Sequence, residues 1–142
     1  MDGMTQEIVG VQGRAVDSEK ITVNLGFVDL GHIDLLVADG FYSNRTDFIR
    51  TAIRNQLARH DVEVKQSVAR KSLDLGLRQV TRRELEAVQA AGETIQIQVL
   101  GLASIAADVT PELARATIAS VRVLGGFQAS AAVKAALRDR MG

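Results

Sequence analysis

A chain of 142 residues, 46% apolar and 24% charged, has the composition of a folded protein and excludes wholesale disorder. With no cysteine, disulfide scaffolds, thiolate metal centres and cysteine nucleophiles are excluded, and two histidines leave little for zinc. The formal net charge of zero argues mildly against binding to a polyanion, so any such function must rest on a local concentration of charge.

The opening Met1-Asp2-Gly3-Met4-Thr5-Gln6-Glu7 lacks the basic and apolar regions of a secretory signal. Uncharged stretches near 95–107 and 123–133 fall short of the roughly 18 apolar residues that span a bilayer. A soluble, cytoplasmic protein with no membrane partner is expected. Residues 1–18, with Gly3, Gly10, Gly13 and scattered valines, show no sustained period and are expected to form a flexible leader.

Lys20-Ile21-Thr22-Val23-Asn24-Leu25 alternates polar and apolar residues. This is the period of a half-buried strand, with Ile21, Val23 and Leu25 on one face and Lys20, Thr22 and Asn24 on the other. Asp29 then suits the cap of a helix carrying Ile33, Leu36 and Val37, with Val28 and Ile33 placed for a hydrophobic staple and Gly40 for a left-handed stop. A second helix is expected from Asn44, with Asp47 as an acidic analogue of the capping box, running through Phe48, Ile49, Ala52, Ile53 and Leu57. Its other face carries Arg45, Arg50, Arg54 and Arg59 against Asp47 alone, a local net charge of +3. Residues 61–71 are either an extension of this helix or a linker.

The C-terminal part, 72–142, contains a repeat. Ile97-Gln98-Val99-Leu100-Gly101 matches Val121-Arg122-Val123-Leu124-Gly125 at an offset of 24, which also aligns Val109 with Val133 and Leu113 with Leu137. Each unit is expected to be an apolar strand, a glycine turn and a short helix, with Thr110-Pro111-Glu112 marking one helix start. A looser first copy is Leu73-Asp74-Leu75-Gly76-Leu77, followed by the capping box Thr81-Arg82-Arg83-Glu84 and a helix stopping at Gly92. Three such units can stack as a small solenoid.

A lone six-residue strand with one apolar face is unstable, because its edges stay unpaired and nothing covers that face. No second strand of matching pattern precedes the helices, so the economical partner is the same strand of a second copy, antiparallel about a two-fold axis. The ribbon then shows Lys20, Thr22 and Asn24 twice, on an element narrow enough for a DNA major groove. Lysine can donate to guanine, asparagine can pair with adenine, and the threonine methyl can meet that of thymine. The unpaired amides at the start of the second helix, with the hydroxyl of Ser43 and the side chain of Arg45, suit a phosphate.

On Lys20–Leu25, Ile33-Asp34-Leu35-Leu36-Val37 and Gly40-Phe41-Tyr42-Ser43-Asn44-Arg45-Thr46-Asp47-Phe48-Ile49-Arg50, the segment of about 19–60 resembles the CopG, Arc and MetJ-type ribbon-helix-helix family of bacterial-type DNA-binding proteins, closest to its CopG-like branch. The resemblance implies base reading by Lys20, Thr22 and Asn24 and phosphate contact by Ser43, Asn44, Arg45 and Thr46. The expected fold class is α+β: a dimeric ribbon-helix-helix domain followed by a solenoid-like strand-helix module. The leading function is a homodimeric, nucleoid-associated transcriptional regulator, in the sense of a repressor, binding double-stranded DNA. Tetramers or higher oligomers would form through residues 72–142. The alternatives are an antitoxin holding a toxin through its C-terminal part, and a filament-forming protein on DNA.

No catalytic constellation, metal site or cofactor is expected. His32 with Asp34 is more simply an exposed helix pair than a metal site. Glu84 with Glu86, and Asp108 with Glu112, are carboxylates placed by helix starts. Arg50, Arg54 and Arg59 read first as a solvated helix face.

Overall fold

The computed structural model describes residues 18–142; the leader expected over 1–18 lies outside them except for Ser18. The described residues divide into two compact units: 20–67, and 68–142 together with Ser18 and Glu19.

In the first unit, Lys20–Leu25 is exposed throughout, is neither helix nor strand, and is hydrogen-bonded to no other described residue. The strand expected here does not form within one copy. Helix α1 spans Phe27–Ala38 and starts from Gly26, earlier than expected, with no side-chain cap. Asp29 therefore lies in the first turn, where its charge faces the positive end of the helix dipole, and is not the cap. Val28 is 72% exposed, so it makes no staple with buried Ile33. Gly40 ends the helix as expected, at φ +86°. Its amide donates to the Val37 carbonyl and that of Phe41 to the Leu36 carbonyl, a geometry open to glycine at little cost.

Helix α2 spans Arg45–Arg59 with Asn44 as its cap. After a break at His60, helix α3 runs over Asp61–Lys71, so 61–71 is helical but not one unbroken extension. Among the described residues of 20–67, only Ile33 is a buried hydrophobic. Ile21, Val23, Leu25, Ile49, Ile53 and Leu57 are all exposed. A single copy of this unit has almost no core.

The second unit has one. Strands β1 (Asp74–Val80), β2 (Ile95–Ile105) and β3 (Ile118–Gln128) form a parallel sheet in the order β1-β2-β3. They are followed by α4 (Arg82–Ala90), α5 (Pro111–Thr117) and α6 (Ala131–Ala136). Parallel neighbours require such crossovers. Alternate strand residues Val80, Ile97, Val99, Ala103, Ile105 and Val121 join Leu85, Leu113, Ala114, Val133 and Leu137 in one core. Burying each large aliphatic side chain contributes about 1.5–3 kcal/mol. The helices are capped by Thr81, Thr110 and Ser130, whose hydroxyls accept from the amides of Glu84, Leu113 and Val133.

Two repeat expectations are corrected. Gly101 and Gly125 are not turns that end strands; both lie inside eleven-residue strands, where they align with Gly76 across the sheet. The looser first copy is thus in register with the other two. The offset of 24 also holds for the strands only. Thr81 stands five positions after Gly76 and Ser130 five after Gly125, whereas Thr110 stands nine after Gly101. Val109 therefore falls in the connection before α5 while Val133 lies within α6, and the helix positions equivalent by their caps are Leu113 and Val133.

Glu84 does not reach back to its cap residue as a capping box would; it takes a bidentate contact from Arg78 at 2.5 and 3.1 Å. That hydrogen-bonded guanidinium holds the Glu84 carboxyl below the usual carboxylate range, against the opposing effect of partial burial. Because the folded value is depressed, the pair's stabilisation is present above the ordinary glutamate range and is lost as pH falls through the lowered value. Glu84→Gln should remove that acid-side loss and cost no more than about 1 kcal/mol near neutrality, measured as urea midpoints of both proteins through the acid range.

Candidate nucleic-acid interface

The start of α2 is built from four consecutive polar residues, Ser43, Asn44, Arg45 and Thr46, and from Asp47. The Asn44 side-chain oxygen accepts from the Asp47 amide at 2.8 Å, and the Asp47 carboxylate accepts from the Ser43 amide at 2.9 Å. The expected acidic capping box is present, its return bond falling on the residue before the cap. These bonds leave the Arg45 and Thr46 amides without an acceptor among the described residues, as the first positions of a helix must be. Ser43, Asn44, Arg45 and Thr46 are all exposed, so two unpaired N–H groups and the positive helix end face solvent together. Tyr42 packs edge-on to Phe48 with ring centroids 5.0 Å apart, bracing the turn against the helix it opens.

Arg45 departs from expectation. Its guanidinium grips Asp34 of α1 with two bonds of 2.8 Å, so it ties the helices together instead of standing free for a phosphate. Hydrogen bonding to Arg45 lowers the Asp34 carboxyl from its usual range, and Asp34 raises Arg45 in return. Both side chains are about half exposed, at 54% and 53%, so the pair adds little stability. Sequence reasoning missed it because the partners stand eleven residues apart across a loop, with no periodic signal linking them. Asp34→Asn should release the guanidinium, raise non-specific DNA affinity and steepen its salt dependence by about one phosphate contact, read from binding isotherms at several salt concentrations.

Lys20, Thr22 and Asn24 are exposed, and none makes a hydrogen bond to the Ser43–Thr46 turn. Arg50, Arg54 and Arg59 are exposed along α2. No group of three or more His, Cys, Asp or Glu among the described residues could hold a metal ion. Among those residues no helix is long and apolar enough to cross a membrane.

The first unit thus consists of an exposed apolar-alternating segment, a helix ended at a glycine and a second, capped helix. A family model described as the ribbon-helix-helix transcriptional regulator family matches residues 16–134, and the chain belongs to that family. Its class is accordingly that of a DNA-binding transcriptional regulator. The match extends through the parallel sheet, so the C-terminal unit is part of what the family shares. Comparisons with curated proteins and with solved structures gave no match.

Proposed function

We propose that two copies pair through Lys20–Leu25 to form an antiparallel ribbon, and that this ribbon reads an operator in the major groove, with the protein acting as a repressor of the CopG-like kind. The observation that carries the reading is the exposed apolar set of the first unit: Ile21 at 69%, Val23 at 66% and Leu25 at 41%, alternating with Lys20, Thr22 and Asn24. Ile49, Ile53 and Leu57 add a stripe at four-residue spacing along α2. A second copy covers both at once, so that folding of this unit and dimerisation are one event.

In the paired state Lys20, Thr22 and Asn24 read base edges, while the Arg45 and Thr46 amides, the Ser43 hydroxyl and the cap at Asn44 hold a backbone phosphate. The order of residues 72–142 favours this over the antitoxin reading, since a toxin-holding tail commonly orders only on binding. Selection from a random DNA library should return a site with two-fold or directly repeated halves. Thr22→Ala and Asn24→Ala should each weaken binding to it by about 1–3 kcal/mol per contacted base, with the salt slope unchanged. Equal affinity of the parent and both variants would remove the reading face.

A further inference from the structure

We propose that β1 is a self-pairing edge: it joins β1 of a second copy, antiparallel about Gly76, so that the sheets of the two copies continue into one another. Of the two edges of the sheet, that of β3 is partly covered. Met141 bridges to Val121, and the Gly142 amide donates to the Val121 carbonyl at 3.0 Å. Among the described residues β1 pairs with β2 alone. The carbonyls of Gly76 and Val80 point to β2: the first lies 2.1 Å from where a Gly101 Cβ would stand, and the second accepts from the Ala106 amide at 2.9 Å. The alternate residues Leu75 and Leu77 therefore turn their N–H and C=O groups outward. Their side chains are 69% and 81% exposed. An open edge of this kind, with no proline or lysine in it to blunt it, is a template for another strand.

The residues of β1 select the occupant. Around Gly76 the strand reads Asp74-Leu75-Gly76-Leu77-Arg78, in which each side chain has its complement at the mirrored position. Antiparallel pairing about Gly76 sets Leu75 opposite the partner's Leu77 and Asp74 opposite the partner's Arg78, each twice over. Moving the two-fold axis by one residue loses both matches. About Leu77 it sets Asp74 opposite Val80 and Leu75 opposite Gln79; about Leu75 it sets Asp74 opposite Gly76 and Arg78 opposite Ser72. Arg78 holds Glu84 through Nη1 and Nη2, which leaves its Nε–H without an acceptor among the described residues and open to the incoming carboxylate. Gly76 shares the left-handed backbone of Gly101, whose Cβ would project at the next strand. A Cβ on Gly76 meets nothing in one copy, but by the same geometry it would project at the incoming strand. Five facing residues bury on the order of 300 Å2 per copy, well below the roughly 800 Å2 per partner of a stable interface. The pairing therefore holds between copies that the ribbon has already joined, at the high effective concentration of a tether. It goes beyond the ribbon reading and rests on it for that tether alone.

The test uses the full chain, whose lack of cysteine lets Leu75→Cys and Leu77→Cys report the register. Refolded together and oxidised, the two proteins should give a covalent dimer, because facing residues stand about 5.5 Å apart at Cα, within disulfide reach. Each protein alone should give at least about tenfold less, since like residues then stand diagonally, about 7–8 Å apart and past that reach. Asp74→Arg or Gly76→Ala, added to both proteins, should cut the mixed product several-fold. Sedimentation of the reduced mixture reads the ribbon separately. A dimer that yields no mixed product, single proteins that cross-link as well alone as together, or a yield that neither added substitution lowers overturns the β1 pairing and leaves the ribbon standing. A monomer with no product overturns both.

Discussion

Gly101→Ala is expected to destabilise the C-terminal unit by about 3 kcal/mol or more, whereas Gly76→Ala costs only about 1–2 kcal/mol. The two glycines share a strand register and a left-handed backbone, at φ +138° and +108°. An L side chain is strained at either position. They differ in what a methyl group would meet. A Cβ on Gly101 would stand 2.1 Å from the Gly76 carbonyl oxygen, while a Cβ on Gly76 meets nothing within 4 Å, because β1 is the edge strand and no further carbonyl lies beyond it. Gly125 repeats the clash against the Gly101 carbonyl, also at 2.1 Å, so Gly125→Ala should behave like Gly101→Ala. The neighbour in both cases is backbone held in a ladder and cannot yield without separating the strands. Urea unfolding of the three variants, followed by far-ultraviolet circular dichroism, measures the difference. Equal costs at Gly76 and Gly101 would show that backbone strain alone sets the requirement and that the strands do not approach so closely.

The legible part of the fold was the part governed by local chemistry. Gly40 and Gly92 stop their helices at positive φ, and Asn44, Thr81 and Thr110 accept from the amides three residues on. Each depends on a residue and its near neighbours, so each can be read from a short window. The repeat is legible for the same reason, but the role of its glycines is not. A glycine after an apolar run signals a turn when taken alone; only the alignment of Gly76, Gly101 and Gly125 across three strands reveals a sheet-wide row of positive-φ positions. The four extra residues before Thr110 likewise broke a spacing that the strands alone had suggested.

At the candidate site, Ser43, Asn44 and Thr46 lie where the helix pattern placed them, since a cap is a local device. Position alone points Arg45 toward a phosphate, whereas its capture by Asp34 depends on how α1 and α2 pack. Lys20, Thr22 and Asn24 are legible as one face of an alternating segment, but within one copy that segment is no strand, because it has no neighbour to pair with; on the proposed reading a second copy supplies one.

Ile53→Asp provides the sharpest test of that neighbour. In one copy Ile53 is 49% exposed, and a substitution on an ordinary solvated helix face changes stability by no more than about 0.5 kcal/mol. If the Ile49-Ile53-Leu57 stripe is instead pressed against its counterpart, a carboxylate there is buried without a partner, and the loss should exceed about 3 kcal/mol. The unit has only Ile33 buried on its own account, so it cannot absorb that loss as a folded monomer. The variant should sediment as a monomer, melt independently of protein concentration and lose operator binding, while the parent melts at higher temperature as concentration rises. Arg54→Ala, one residue along α2 and exposed, is the matched control and should leave dimerisation intact. A dimeric, operator-binding Ile53→Asp protein would mean that the stripe faces water in the working molecule. The ribbon would then lack the apolar floor that lets two six-residue strands hold together.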